Sequence, residues 1–405
     1  MTSEPYLDYA ATTPLDPRVQ AVMNACALSL EGAANPSSAH ALGTAAASQV
    51  DAAAESIGQL INADPAGLIW TSGATEANNL AILGSALALL SRAPDRRRIL
   101  VLATDHSAAI EPALAAEKWG FSAVILPVAP SGELLPSVLK DALDEDVALV
   151  SLALVNNETG VIQDLKTLAP MVRAVGARLH VDATQAVGRI PVDVSADEID
   201  FLSFSGHKFY GPKGIGGLYA CPSLALEPLL HGGGQQAGRR PGTLPVPLIK
   251  GMAAAYSFAD DQAERDRQNA LRARLMEGLS TLGQVVINGQ GMLAPHILSL
   301  SFPGVHGAAL AHALDGLAVS HGSACGSQQG PSHVLRAMGR PNALAHATVR
   351  MSIGRFSTNA EVDMAVQRIG DAVATLRGIS PIWRELEAGE GIHKVYGMTT
   401  PLEVA

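Results

Sequence analysis

The sequence predicts an α/β protein: a large domain with a mostly parallel seven-stranded sheet sandwiched by helices, followed by a smaller α+β domain. Three observations carry that prediction. Short apolar runs alternate with Ala- and Leu-rich helix-like stretches between residues 50 and 220; a charged, helix-like segment occupies 258 to 281; and a shorter set of strand-like runs follows it. Continuous apolar strands separated by helical stretches mark a parallel sheet covered on both faces.

The strand candidates come in order as GLIW (67 to 70), RILVLAT (98 to 104), SAVILPV (122 to 128), VALVSLALV (147 to 155), ARLHVDA (177 to 183), IDFLSFS (199 to 205) and IGGLYA (215 to 220). Ligands of such sheets bind at the carboxyl ends of the strands, and the polar motifs of this sequence fall there. After the connector SFADDQAERDRQNALRARLMEGLST come HILSLSFPG (296 to 304), GLAVSHGSAC (316 to 325) and ATVRMSIGRFS (347 to 357), then the helical pattern NAEVDMAVQRIGDAVATLRGI. The division read from this order is an N-terminal segment, 1–15, packing with the small domain; a large domain, 16–257; a small domain, 258–382; and a mobile or partner-binding tail, 383–405.

With 405 residues and 48% hydrophobic content the chain can bury a sizeable core. A net charge of -10 argues against nucleic acid or an acidic membrane surface as partner. No apolar stretch approaches the length of a membrane span, and the N-terminus lacks the basic and apolar regions of a signal peptide. Three scattered cysteines, Cys26, Cys221 and Cys325, suggest neither a disulfide framework nor a metal site. A reducing compartment, the cytoplasm, is the expected setting.

Cys325 is set in VSHGSACGSQQG, among small and polar neighbours with His321 four positions upstream, whereas Cys26 in VMNACALSL has the apolar surroundings of a packing residue. Such a setting suits a thiol that has to be reached. TSGATEANN (71 to 79) is a small-residue turn opening a helix, able to cradle a phosphate or simply to cap the helix. Asp182 ends the strand in HVDATQAVG, placed either for a cationic ligand atom or as a loop cap. Lys208 follows another strand in SFSGHKFYGPKGIGG; a lone lysine is usually a surface residue, but this one is a Schiff-base candidate ahead of Lys213 in the GPKG turn. A phosphate cradle, a carboxylate for a pyridinium nitrogen and a lysine, in that order on one sheet, are what pyridoxal 5'-phosphate requires.

With YLDYAATTP (6 to 14), NPSSAH (35 to 40), VNNETG (155 to 160), HGGGQQAGRRPGT (231 to 243) and VRMSIGRFS (349 to 357) added, the chain resembles the class V, fold-type I pyridoxal phosphate enzymes, and within them the NifS/IscS-type cysteine desulfurases, as far as about residue 382. The resemblance implies an aspartate aminotransferase-like fold and a set of roles. Lys208 would bind the cofactor covalently, His106 would stack on its ring, Asp182 would hold the ring nitrogen, and Asn157 and Gln185 would approach the ring hydroxyl, Asn157 also helping to place substrate. Ala74, Thr75, Ser205 and His207 would hold the phosphate, with Thr243 reaching it from the other subunit of a homodimer. Arg350 would pair with the carboxylate of L-cysteine, assisted by Asn35 and Arg355, and Cys325 would take the sulfur as a persulfide for an acceptor protein in iron-sulfur cluster assembly or in tRNA or cofactor thiolation.

The same residues would also serve a selenocysteine lyase or a related lyase or aminotransferase, and a non-catalytic sulfur-trafficking scaffold could keep the fold. Retention of Lys208, Asp182, His106, Cys325 and Arg350 speaks against the scaffold. The motif departs from the usual SGSACTS: Gly326 follows the cysteine, His321 stands at a small or hydroxyl position, and Pro331 arrives about one residue early.

Overall fold

The computed structural model describes residues 4–259, 262–321 and 330–398. Each of the seven predicted apolar runs forms a strand: β1 (Leu68–Thr71), β2 (Arg98–Leu102), β3 (Ser122–Leu126), β4 (Val147–Ala153), β5 (Arg178–Asp182), β6 (Phe201–Ser205) and β7 (Gly216–Ala220). They form one sheet in the order β1-β7-β6-β5-β4-β2-β3. The pairs β3/β2, β2/β4, β4/β5 and β5/β6 are parallel; β7 runs against both β6 and β1. Because β1 and β6 each oppose β7, β1 runs in the common direction, and the carboxyl ends of β1, β2, β4, β5 and β6 open on one edge.

The unbroken apolar character of these strands follows from burial on both faces. Successive side chains alternate across a strand, so Leu100 and Leu102 enter one core and Ile99 and Val101 another. The first core is closed by Val50 and Ile57 of the helix Ala41–Leu60, Leu168 and Val172 of Leu165–Ala174, and Ile249 and Met252 of Val246–Ser257. The second is closed by Ala77 and Leu89 from the helical stretch 74–92 and by Ala109 and Ala113 of Ser107–Ala115. β3 is one edge strand, and its Ile125 stays 42% exposed.

The second sheet is antiparallel, with β8 (Val286–Ile287), β9 (Ile297–Ser301), β10 (Ser320–His321) and β11 (Thr348–Ser352) in the order β10-β11-β9-β8. β8 has only two residues, too short to leave a periodic signal. The helices Gln262–Ser280 and Asn359–Gly378, the second started by a Thr358/Glu361 capping box, cover its apolar face. The N-terminal segment joins this sheet through bridges from Tyr6 to Ala318 and from Asp8 to Ser352. The segment read as a tail is helical in part and described as far as Met398. Short helices Pro381–Glu387 and Ile392–Val395 bury Leu386 and Ile392 against Val286 and Leu344, and Arg377 lies 3.6 Å over the Trp383 ring. Among the described residues no helix is long and apolar enough to cross a membrane.

Candidate active site

The loops after β1, β2, β4, β5 and β6 surround a cleft of about 610 Å³. Ala74, Thr75, His106, Asn157, Asp182, Gln185, Ser205, His207, Lys208 and Arg350 all line it, so residues spread over 277 positions of the chain (350 minus 73) share one space. Two regions outside the large sheet complete the wall: the N-terminal turn at Ala10, Ala11 and Thr12, and β11, which supplies Arg350.

Asp182 ends β5 as the backbone leaves the sheet. Its carboxylate accepts from Asn78 Nδ2 at 2.7 Å and from the Thr184 N–H at 3.0 Å. Behind it His180 is wholly buried, bonded to Ser151 Oγ at 2.8 Å and Ser203 Oγ at 2.9 Å across three strands. Burial lowers its pKa to about 4, with Asp182 opposing. His106 caps the helix Ser107–Ala115 by accepting the Ala108 N–H at Nδ1, 3.0 Å away, which places its proton on Nε2. Burial holds its pKa below the usual histidine value, Lys208 and His333 push the same way, and Asp182 opposes them. The ring is therefore neutral at pH 7.

Lys208 ends a short 3₁₀ turn after β6, and its Nζ donates to the carbonyls of Ala10 and Ala11, 2.8 Å each. Ala10 O also accepts from Gln185 Nε2 at 2.7 Å, and His296 Nε2 lies 3.4 Å from Gln185 Oε1. His296 is fully buried, and burial together with the charges of Arg189, Arg350 and Lys208 drives its pKa far down. His207 Nδ1 lies 3.1 Å from Thr12 Oγ1, and burial beside Lys208 and Lys213 lowers its pKa to about 4. Lys213 is exposed at the rim, consistent with preferring Lys208.

The phosphate end is built by close approach. A Cβ on Gly216 would lie 2.6 Å from Gly73 Cα, so only glycine lets β7 pass under the turn that opens the helix at Ala74. Glu76 clamps that turn, accepting from the Ser72 N–H at 2.7 Å and from Arg240 Nε at 2.8 Å. Ala74 and Thr75 sit where helix N–H groups have no intrahelical partner, and Ser205 Oγ is buried without a hydrogen-bond partner among the described residues. An orphaned hydroxyl beside a helix start fits a phosphate, and a carboxylate and a lysine lining the same cleft fit a pyridinium nitrogen and an aldehyde, so the residues present suit pyridoxal phosphate.

Arg350 is 5% exposed. Its NH2 donates to Asp8 Oδ1 at 2.9 Å and Ser320 Oγ at 2.7 Å, its NH1 to the Asn157 carbonyl at 2.8 Å, and its Nε has no partner among the described residues. A buried, unspent donor on a fixed guanidinium suits an incoming carboxylate. The structure brings three expected residues elsewhere. Arg355 is held by Asp16 at 2.6 Å and the Phe258 carbonyl at 3.1 Å, lies 4.3 Å over the Tyr210 ring, and does not line the cleft. Asn35 is exposed and closes its own turn onto the Ser37 N–H at 2.9 Å. Thr243 is exposed and outside the cleft lining. Cys325 lies outside the described residues. His321 pairs with Val349, so by alternation it leaves the sheet on the face opposite Arg350.

Sequence reasoning missed Asp8, Asn78 and His296. The first two sit inside motifs already singled out, YLDYAATTP and TSGATEANN, whose length had left their individual duties unassigned. His296 carries no local signal, since its role arises only where β9 meets the large sheet.

Residues 5–364 match the aminotransferase class-V family. The chain is 44% identical over 400 residues to cysteine desulfurase IscS of Pectobacterium atrosepticum, covering 96% of this chain and 98% of that protein. A solved NifS-like protein superposes with a TM-score of 0.85 at 33% identity, covering 92% of this chain and 100% of the other. The structure of SspA in complex with cysteine superposes at 0.78 and 31% identity, covering 87% and 100%. With the match spanning most of its length, the chain belongs to the aminotransferase class-V family.

Proposed function

We propose that this chain is a pyridoxal phosphate-dependent cysteine desulfurase, taking sulfur from L-cysteine onto Cys325 and releasing L-alanine. The observation that carries the reading is the meeting of the Asp182 carboxylate, the Lys208 amine and the Arg350 guanidinium in one cleft, in a chain similar over nearly its whole length to an enzyme of that name.

Pyridoxal phosphate, when bound, supplies an electron sink for charge that develops at the amino acid's Cα. Asp182 would hold the ring nitrogen in its protonated form, supported by Asn78. His106, neutral, would face the ring, and Asn157 and Gln185 would lie beside its hydroxyl. Ala74, Thr75, Ser205 and His207 would take the phosphate, with Thr243 contributed by a second copy in a homodimer. Lys208 Nζ would anchor the cofactor and, once free, move protons at the substrate Cα. Arg350 would bind the substrate carboxylate through its remaining donors, while Asn35 and Arg355 stand farther off.

The transfer balances without an outside oxidant. The Cβ–S bond of cysteine breaks, an S–S bond forms at Cys325 Sγ, and the thiol proton's equivalent ends on the methyl group of alanine. An acceptor protein then takes the outer sulfur. The test is Cys325→Ser: it keeps the visible absorbance of the bound cofactor and loses sulfide release from cysteine. Undiminished sulfide release by that variant overturns the assignment, and a monomeric mass in solution overturns the role of Thr243.

A further inference from the structure

Two loops that line the cleft and a third from the small domain meet at a closed ring of hydrogen bonds. The first, Thr104-Asp105-His106, leaves β2; the second, Asn156 to Gly160, leaves β4; the third, Ser332-His333, opens the helix His333–Ala337 in the small domain. Asn156 Nδ2 donates to the Thr104 carbonyl at 2.8 Å and ties the first to the second. Ser332 Oγ donates to Glu158 Oε2 and ties the second to the third. His333 Nε2 donates to the Asp105 carbonyl at 2.9 Å and closes the ring.

Each corner is rigid in itself. Asp105 is 1% exposed, and its carboxylate accepts from the Leu102 N–H and the Ala153 N–H, 2.9 Å each, pinning the ends of β2 and β4 together. Asn156 Oδ1 accepts from the N–H groups of Glu158 and Thr159 at 3.0 and 2.9 Å, and Gly160, at φ +78, returns the chain. Ser332 Oγ also caps its helix by accepting from the Leu335 N–H at 3.2 Å.

We infer that this junction, through His333 and Glu158, sets the position of the cofactor-facing His106 and the substrate-facing Arg350 relative to the small domain. His333 and Glu158 are positioning residues and do not touch the reacting atoms. The His106 end is reached through Asp105, its chain neighbour. The Arg350 end is reached through Asn157, whose carbonyl accepts from Arg350 and which lies between Asn156 and Glu158. A displacement at any corner is therefore shared by both halves of the site. The inference rests on the desulfurase reading for its kinetic consequence and on geometry alone for the junction.

The experiment uses the holoenzyme with His333→Phe, His333→Gln and Glu158→Ala. Amide hydrogen exchange is measured over 104–109, 156–160 and 333–337, and alanine formation from cysteine gives kcat and KM. Loss of one neutral hydrogen bond corresponds to about two- to tenfold in an opening equilibrium. His333→Phe therefore raises exchange by about that factor at Ala108 and Ala109 as well as at 333–337, lowers kcat by a similar factor and raises the KM for cysteine with it, because Arg350 shares the displacement. His333→Gln, which keeps a donor, restores exchange and kinetics, and Glu158→Ala reproduces the effect from another corner. Faster exchange confined to 333–337, or a glutamine variant as impaired as the phenylalanine one, overturns the junction. A wild-type enzyme that forms no alanine overturns the desulfurase reading alone, and the exchange pattern still decides the junction.

Discussion

The two sheets bury their strands in opposite ways. In the large sheet both faces are apolar, and polar residues gather where the strands stop: Asp182 ends β5, and Ser205 ends β6 ahead of Lys208. In the small sheet only one face is apolar. Leu298, Leu300, Val349 and Met351 point into the helices, while Ser299, Ser301, Thr348, Arg350 and Ser352 line the other face of the same strands and are buried all the same. Apart from Arg350 Nε, that polar face is satisfied internally: Ser301 Oγ lies 2.6 Å from Thr348 Oγ1, Asn288 Nδ2 donates to Ser301 Oγ at 2.8 Å, and Arg340 Nε donates to Asn288 Oδ1 at 3.1 Å. The large sheet offers functional groups at loops on a rigid edge; the small sheet offers one from within a strand, held by hydrogen bonds on nearly every side.

The sharpest break of this contrast is at the loop end. Lys208→Ala removes the anchoring amine and leaves the sheet untouched, so activity with cysteine falls by about 10³-fold or more while the unfolding midpoint in urea stays close to that of the wild type. A large loss of stability in this variant would mean that the Lys208 bonds to Ala10 and Ala11 hold the N-terminal segment in place, and that the edge is not independent of the core.

Interior substitutions separate the sheets next. Leu100→Ala opens a cavity in a fully packed core and costs about 2–5 kcal/mol; Asn288→Ala leaves Arg340 Nε and Ser301 Oγ short of a partner and costs about 1–3 kcal/mol. Denaturant unfolding of both measures the difference. If Asn288→Ala is neutral, water replaces the lost partner and the polar face is not closed.

How much of this was legible depends on which way a strand is buried. Seven continuous apolar runs, readable without any partner, became seven strands, and the chemistry-bearing Asp182 and Lys208 stood out because each abuts such a run. The reversal of β7 left no trace, since strand direction is decided by connections and not by side chains. In the small sheet the alternation LSLS of β9 marks a half-polar strand, but nothing local says that the serines are buried. Asp8, Asn78 and His296 acquire their duties only across 342, 104 and 111 positions of sequence. Arg355 is the converse: it lies in a motif beside Arg350, yet Asp16 and Tyr210 claim it. The two short helices after residue 380 left no signal, because their apolar contacts are with distant residues.

Arg350 tests the buried functional group of the small sheet. Arg350→Lys keeps the charge and loses the fork, leaving the Asn157 carbonyl and Ser320 Oγ in competition for one ammonium; kcat/KM for cysteine falls by about ten- to hundredfold, with the cofactor absorbance unchanged. A loss carried in kcat with KM intact would contradict a carboxylate-binding role.

The smallest expected effect sharpens the contrast from inside the large sheet, where His180 with its partners Ser151 and Ser203 breaks the apolar rule. Its ring is buried between Ser151 and Ser203, and its pKa is lowered to about 4 against about 6.5 in the unfolded chain. A folded pKa below the unfolded one means that the unfolded state binds more protons between those values. Stability is then complete above pH 6.5 and declines as pH falls toward 4, by at most about 1.4 kcal/mol per pH unit from this group. His180→Gln keeps a hydrogen-bonding side chain and cannot take a proton, so its stability at pH 7 is lower while its decline between pH 6.5 and 5 is shallower than that of the wild type. Urea midpoints at the two pH values measure the slope. An unchanged slope would assign the acid sensitivity to His106, His207, His296 or His321, whose folded pKa values lie on the same side, and would place it outside the interior of the large sheet.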